Sequence, residues 1–291
     1  MIELIGTLES MNIKDILVRT YQFYKSNFLK SIGIVLLLKG PYLILAYIIS
    51  RFSASFFVGT FSLSEGSLAN FEYIAGVLIV ELLELIFIPF ISPISISAMT
   101  VFISEKYLNR DIGIVEAYKI VMKRALPLFG TVLISGLFIS SGFIFTLTLM
   151  SGSSQLGFIS LLFSPILASV LWVWYAFVPQ TVVIEGEGGI GAMKRSKYLT
   201  DGYFRKVLIL VVLVFVIILF ATWILSFGFS KMLFFLGDSS AFLGKGLSNV
   251  VSVIFEAFRI TIIPLLYYDL RVRKEGFNLE MLAKEMETEI K

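Results

Sequence analysis

The sequence contains no cysteine and no histidine. That excludes disulfides, cysteine nucleophiles, haem ligation by these residues, Cys/His zinc sites and histidine-based triads. Carboxylate metal sites survive the exclusion, yet the sequence points to no metal and no cofactor. The absence of cysteine leaves the redox compartment open. Charge is scarce as well: 15% of the chain is Asp, Glu, Lys or Arg, against about 25% in soluble proteins. Apolar residues fill the space, at 57% of 291. A soluble core of this size could not hide so much apolar surface from water, so the long uncharged runs read as transmembrane helices. Met1 to Ser10 carries two glutamates and no basic residue. A secretory signal needs a basic start followed by an apolar run. The first hydrophobic span is therefore expected to stay in the mature protein.

Hydropathy predicts an all-α polytopic membrane protein with six spans. They are about Phe28–Ile49, Tyr73–Ile103, Leu126–Met150, Phe158–Pro179, Val207–Phe229 and Leu247–Tyr268. The second would rise roughly 45 Å as one helix, more than the roughly 30 Å hydrocarbon layer, so it must tilt, kink or project. Pro89 and Pro93 are its kink sites. A β-barrel would alternate apolar and polar residues, and Val207 to Phe220 shows no alternation. Counting Lys30 at the entry of span 1, the first segment, the last segment and the 2–3 and 4–5 connections hold 19 of the 24 Lys and Arg. The other three loops hold only Arg51, Lys231 and Lys245. The positive-inside rule then places both termini in the cytoplasm of a cell-membrane protein.

The basic segments each carry an amphipathic stretch leading into a span: Ile13–Ser31, Gly113–Gly130 and Gly189–Val207. In the first, Ile13, Ile16, Leu17, Tyr21 and Tyr24 fall at helical spacing, with Lys14, Arg19 and Lys25 mostly off that stripe. Such helices lie in the headgroup layer. The even spans end alike, around Pro179 with Glu185 and Pro264 with Asp269. The reading is one membrane domain, 1–291, of three units: about 11–110, 111–187 and 188–275. A short tail helix, 276–291, presents Leu279, Leu282 and Met286 on one face.

Three stretches resemble a known family: Val182–Leu210 (apolar–Glu–Gly, Lys-Arg-Ser, Thr-x-Gly-x-Phe), Leu265–Leu282 and Asp15–Leu38. They are similar to the membrane domain fused to some glycerophosphoryl diester phosphodiesterases, which also occurs alone in archaeal and bacterial proteins of unassigned function. In the fused proteins the chemistry belongs to a separate soluble barrel that needs histidines and acidic metal ligands. The resemblance therefore implies a stand-alone membrane module and carries over no catalytic residue.

Five ionisable residues lie within the spans: Lys39, Glu81, Glu84, Glu256 and Arg259. Each costs at least a few kcal/mol at the bilayer centre when unpaired, about 2.5 kcal/mol or more. Glu81 and Glu84 share a helix face, as do Glu256 and Arg259. Lys39 precedes Gly40-Pro41, read as a break in span 1. As a functional set they line a path for a cation, a proton or a lipid headgroup. As a structural set they pair off and fix helix register. Lys194, Arg195, Lys197, Arg205 and Lys206 are candidate contacts for anionic headgroups, or anchors that set topology. Gly186, Gly188, Gly189 and Gly191 lack the context of a phosphate loop and read as a flexible linker. Gly136 and Gly142 are placed to let span 3 pack closely.

The leading expectation is a non-enzymatic module that organises lipid headgroups or a partner protein at the cytoplasmic face. Its partners would be membrane lipids, a partner protein or further copies of the chain, and no nucleic acid, because no folded basic domain is left to bind it. The alternatives are a small permease or channel using the mid-membrane charges, and an intramembrane enzyme using the paired glutamates.

Overall fold

A computed structural model describes residues 8–60, 82, 90–152, 154–234 and 240–290. Among those residues all regular structure is helical. We number the helices α1 (Ile13–Ser26), α2 (Phe28–Thr60), α3 (90–107), α4 (Ile114–Lys123), α5 (Ala125–Gly152) and α6 (Ser154–Trp174). There follow α7 (Val178–Ile184), α8 (Gly189–Thr200), α9 (Phe204–Phe234), α10 (Ser240–Glu275) and α11 (Leu279–Ile290). Five stretches are long and apolar enough to cross a membrane: Phe28–Ala46, Ala125–Ser151, Gln155–Ile184, Phe204–Phe229 and Leu247–Glu275. They coincide with expected spans 1, 3, 4, 5 and 6. The expected span 2 falls largely on 61–81 and 83–89, outside the described residues, with its last part in α3.

Short helices lead into three of the long ones. Asp15 opens α1 by accepting the backbone N–H of Asn12 at 3.1 Å, which satisfies an orphan donor of the first turn. The buried face of α1 is Ile16, Thr20, Phe23 and Tyr24. Tyr21, expected inward, is exposed. Thr20 takes the inward place because its hydroxyl donates to the Ile16 carbonyl at 2.6 Å and so needs no water. A single residue, Asn27, separates α1 from α2, and Arg124 likewise separates α4 from α5. Residues 201–203 turn between α8 and α9. The expected break at Pro41 is absent, and α2 runs through it. Proline removes one helix hydrogen bond there, which spanning helices accommodate by small local adjustments.

Helix α10 packs against α1, α2, α8 and α9, while α5 pairs with α6 and touches α7 and α8. The largest fully buried side chains include Tyr267, Tyr268, Phe102, Phe177 and Phe277. All five lie where α1, α3, α7, α8, α10 and α11 converge. We call this end the collar. The flanks of α5, α6 and α9 are different. Leu137, Phe145, Leu162, Phe163, Phe215 and Trp223 are exposed there. In water such a surface would be a defect, whereas lipid chains are as apolar as leucine. Of the two glycines expected to help span 3 pack, Gly142 does so: a Cβ there would sit 3.3 Å from Leu167 Cδ2. Gly136 has open space instead.

Candidate functional site

Two regions gather polar side chains. The first is the collar, where four carboxylates, Asp269, Glu185, Glu275 and Glu285, organise the packing. Asp269 is fully buried on α10 and accepts the backbone N–H of Met11 at 2.5 Å and Arg273 Nε at 3.1 Å. It also takes Lys206 Nζ from α9. Lys206 and Arg273 donate as well to the Met11 carbonyl, at 2.6 and 2.8 Å. Glu185, just after α7, accepts Tyr267 Oη at 2.7 Å and Arg195 Nε from α8. Arg195 reaches on to Glu275. Arg271, 3% exposed, binds Glu285 of α11 through both amino groups at 2.7 Å and Glu275 through Nε at 3.2 Å. Its guanidinium lies 3.6 Å from the Phe277 ring centroid.

Hydroxyls complete the collar. Ser196 on α8 donates to the Trp174 carbonyl at 2.7 Å and accepts the Phe177 N–H at 3.1 Å. It thereby satisfies both backbone groups orphaned where α6 stops and α7 begins. Ser104 donates to the Thr100 carbonyl at 2.7 Å, so Tyr268 donates to Ser104, at 2.5 Å. The turn before α8 holds Gly186 and Gly189 at positive φ, 72° and 59°. The Gly189 N–H donates to Thr131 Oγ1 at 2.7 Å, so the expected flexible linker is a fixed turn. The tail helix forms as expected: Leu282 and Met286 are buried, and Leu279 packs against the core.

The five basic residues proposed for headgroup contact divide. Arg195 and Lys206 turn inward to carboxylates. Lys194, Lys197 and Arg205 are exposed, with Lys197 Nζ 4.1 Å from the Trp174 ring centroid. Ile190 and Tyr198 of α8 are exposed beside them. At the edge of the collar, Lys106 and Lys30 donate to Asp111 Oδ1, each at 2.7 Å, and hold its carboxyl down at about 2. Burial pushes the Glu105 carboxyl up, opposed by Arg110 and reinforced by Glu116. Burial likewise pushes the Tyr107 and Tyr118 hydroxyls up to about 12. Tyr118 donates to the Ile34 carbonyl at 2.5 Å, tying α4 to α2.

The second region lies within the spans. Glu81 and Glu84 lie outside the described residues. Lys39, Glu256 and Arg259 come together. Lys39 Nζ on α2 is 3.4 Å from Ser252 Oγ on α10. Arg259 Nε donates to Glu256 Oε2 at 3.0 Å, and Nη2 donates to Glu256 Oε1 and, at 2.9 Å, to Ser92 Oγ. Arg259 is 12 positions before Arg271, about 18 Å along the helix, so this cluster and the collar are separate. Arg259 and Ser92 line a cavity of about 230 Å³ whose other walls are mostly apolar. Val132, Phe177, Pro179, Val207 and Ile263 contribute to it from α5, α7, α9 and α10. Ser92 and Ser252 were missed from sequence. The signal for Ser252 is the spacing Asn249–Ser252–Glu256–Arg259, which repeats at three and four along one helix face. Ser92 carries no such signal. Among the described residues no cluster of three or more acidic residues could hold a metal ion.

No curated protein and no solved structure matches the chain. A family model described as a domain of unknown function matches residues 32–270, most of the chain. The chain therefore belongs to the DUF7847 family.

Proposed function

We propose that this protein is a non-enzymatic, six-span module of the cell membrane that organises anionic lipid headgroups at its cytoplasmic face. The observation that carries this reading is the division of the α8 and α9 cations. Internal carboxylates engage Arg195 and Lys206, while Lys194, Lys197 and Arg205 stay exposed next to exposed Ile190 and Tyr198. Apolar and basic groups side by side suit the headgroup layer. The sixth span is assigned to 73–103. The three repeat units, 11–110, 111–187 and 188–275, are supported by the short helices that precede α2, α5 and α9. The kinship with the phosphodiesterase-associated membrane domain rests on the sequence stretches given above. Cytoplasmic termini follow from the charge bias. The absence of cysteine makes that testable directly, with single cysteines at Lys14, Lys284 and Lys245. Only the first two should react with an impermeant thiol reagent from the cytoplasmic side.

The test of function is thermal unfolding in nanodiscs of anionic or zwitterionic lipid. The wild type should gain stability in anionic lipid, and 0.5 M salt should reduce the gain, at roughly 1 kcal/mol per contacting cation. Lys194→Gln/Lys197→Gln/Arg205→Gln should lose most of it and leave stability in zwitterionic lipid unchanged. An equal gain in the triple variant would sink the reading.

A second reading, a permease using the mid-membrane charges, is favoured by one observation. The polar face of α10 leads through Ser252 and Glu256 to Arg259 at the cavity. Cation and solute flux into proteoliposomes, wild type beside Glu81→Gln/Glu84→Gln, decides it. Flux lost in the variant would establish this reading, and absence of flux from folded protein would remove it.

A further inference from the structure

Helix α7 continues the fourth span after the break at Trp174, and its two sides are held differently. On the α8 side, Ser196 bonds the break at 2.7 and 3.1 Å. On the α3 side the bonds are long. Ser97 Oγ donates to the Pro179 carbonyl at 3.5 Å, and Gln180 Nε2 donates to Thr100 Oγ1 at 3.5 Å. Strong bonds of these kinds run about 2.5–3.2 Å. Ser97, Thr100 and Gln180 are all fully buried, where a weak or unmade bond costs most. Gln180 Oε1 accepts from no protein donor among the described residues. Exchanging the amide oxygen and nitrogen does not repair this. The Thr100 hydroxyl already donates to the Ile96 carbonyl at 2.8 Å, so it has no proton for an amide oxygen. Either orientation leaves half of a buried amide unmatched.

These groups specify the ligand that suits them. It is neutral, because none of the three side chains is bonded to a charged group among the described residues, and a buried ion needs a counter-charge. It both donates and accepts, because it must serve either orientation of the amide and the lone pairs of Ser97 and Thr100. It is small, because α3 and α7 are already within direct, if long, bonding distance. Water meets all three demands, and a buried water typically makes about three hydrogen bonds to such groups. A source lies alongside. Ile96 and Pro179, whose carbonyls hold Thr100 and Ser97, both line the cavity, as do Ser92, Ser135 and Tyr175. Its volume of about 230 Å³ is several times the roughly 30 Å³ share of one water. The turn Tyr175–Phe177 lines it too, and irregular backbone at membrane depth is tolerated where protein or water covers it. We propose that an ordered, exchangeable water molecule occupies the seam between α3 and α7, donating to Gln180 Oε1 and bridging it to Ser97 and Thr100. The joint in the fourth span is thus hydrated on its α3 side. This site is independent of the headgroup reading and requires no flux.

The absence of cysteine makes the seam observable. Ser97→Cys carries the only thiol of the chain, and its S–H stretching band is followed by infrared spectroscopy after transfer of the protein in detergent to D2O. The band should shift to that of S–D at least about a hundredfold faster than in Ala257→Cys. That second site, on α10, is fully buried and exchanges only when the fold opens locally. Equally slow exchange at the two sites would overturn the proposal. A thermodynamic cycle tests the bridge itself. Gln180→Met keeps the shape of the side chain and removes the amide. Ser97→Ala should lower Tm in the wild type and leave it nearly unchanged in Gln180→Met, because the bridging water is lost with either partner. Equal losses in the two backgrounds would overturn the bridge. The exchange measurement does not need Gln180→Met to fold, and the cycle does not need either cysteine variant.

Discussion

At the collar, Tyr267, Tyr268 and Phe277 are buried, and Asp269 and Arg271 are buried with them against named partners. Along α5, α6 and α9, side chains as large, such as Phe145, Phe163 and Phe215, face outward. The collar is held by internal matching, carboxylates to cations and orphaned backbone groups to hydroxyls or charged side chains. The flanks of the spans are held by length and apolarity, because hydrocarbon around a spanning helix supplies no hydrophobic drive toward its neighbours. The fold is thus specific at one end and permissive along its sides.

The sharpest way to break this comparison is Arg271→Met. It leaves Glu285 and Glu275 facing an apolar wall, and removing one partner of a buried pair costs about 3–5 kcal/mol. Thermal unfolding in mild detergent should show the largest loss of any single change. Next comes a matched pair of leucines. Leu199 of the collar is fully buried and Leu162 of α6 is 72% exposed. Leu199→Ala should cost about 2–5 kcal/mol, and Leu162→Ala within about 0.5 kcal/mol. Equal costs would erase the distinction. Ser196→Ala removes the bridge across the α6–α7 break and should cost about 1–3 kcal/mol through two stranded backbone groups. The smallest effects are in the pH dependence. The Asp111 carboxyl is depressed, so its contribution is complete above its unfolded pKa of about 3.9. It fades as pH falls through about 2. Asp111→Asn should therefore lower Tm slightly at pH 7, less at pH 3, and not at all once the pH lies below the folded-state value. The Glu105 carboxyl is raised, which has the opposite sign: ionisation works against folding as pH rises. Glu105→Gln should raise Tm slightly at pH 8 and lose the advantage at pH 4.

Sequence made five of the six expected spans and the short helices legible because both announce themselves through hydropathy and period. It also marked the inward face of the tail helix. The interior of the collar was not legible in the same way. Arg195 and Lys206 count as cytoplasmic charge in a topology argument, and only the fold brings Glu185 and Asp269 to them. Tyr21 and Thr20 show the same limit at one turn of α1: an apolar stripe favours the tyrosine, while a hydroxyl that bonds its own helix buries as easily. Pro41 reads as a breaker, yet α2 passes through it. At the candidate site Glu256 and Arg259 were visible as an intrahelical pair. The cavity and Ser92 depend on how α3, α5, α6, α7 and α9 meet, which no local pattern records.

The Met11–Asp269 hydrogen bond joins residues 258 positions apart. A ribosome adding about 5–20 residues per second needs roughly 13–50 s to travel from one to the other. For that interval Met11 lacks the carboxylate that seats it, while Lys206, 63 positions before Asp269, waits about a quarter as long, and α8 waits for Glu275. The spans can enter the bilayer one by one as they emerge, but the collar can close only after the last of them has arrived. The biosynthetic intermediate is therefore a set of inserted helices with an open collar, and that open end is what a chaperone or a membrane protease would meet.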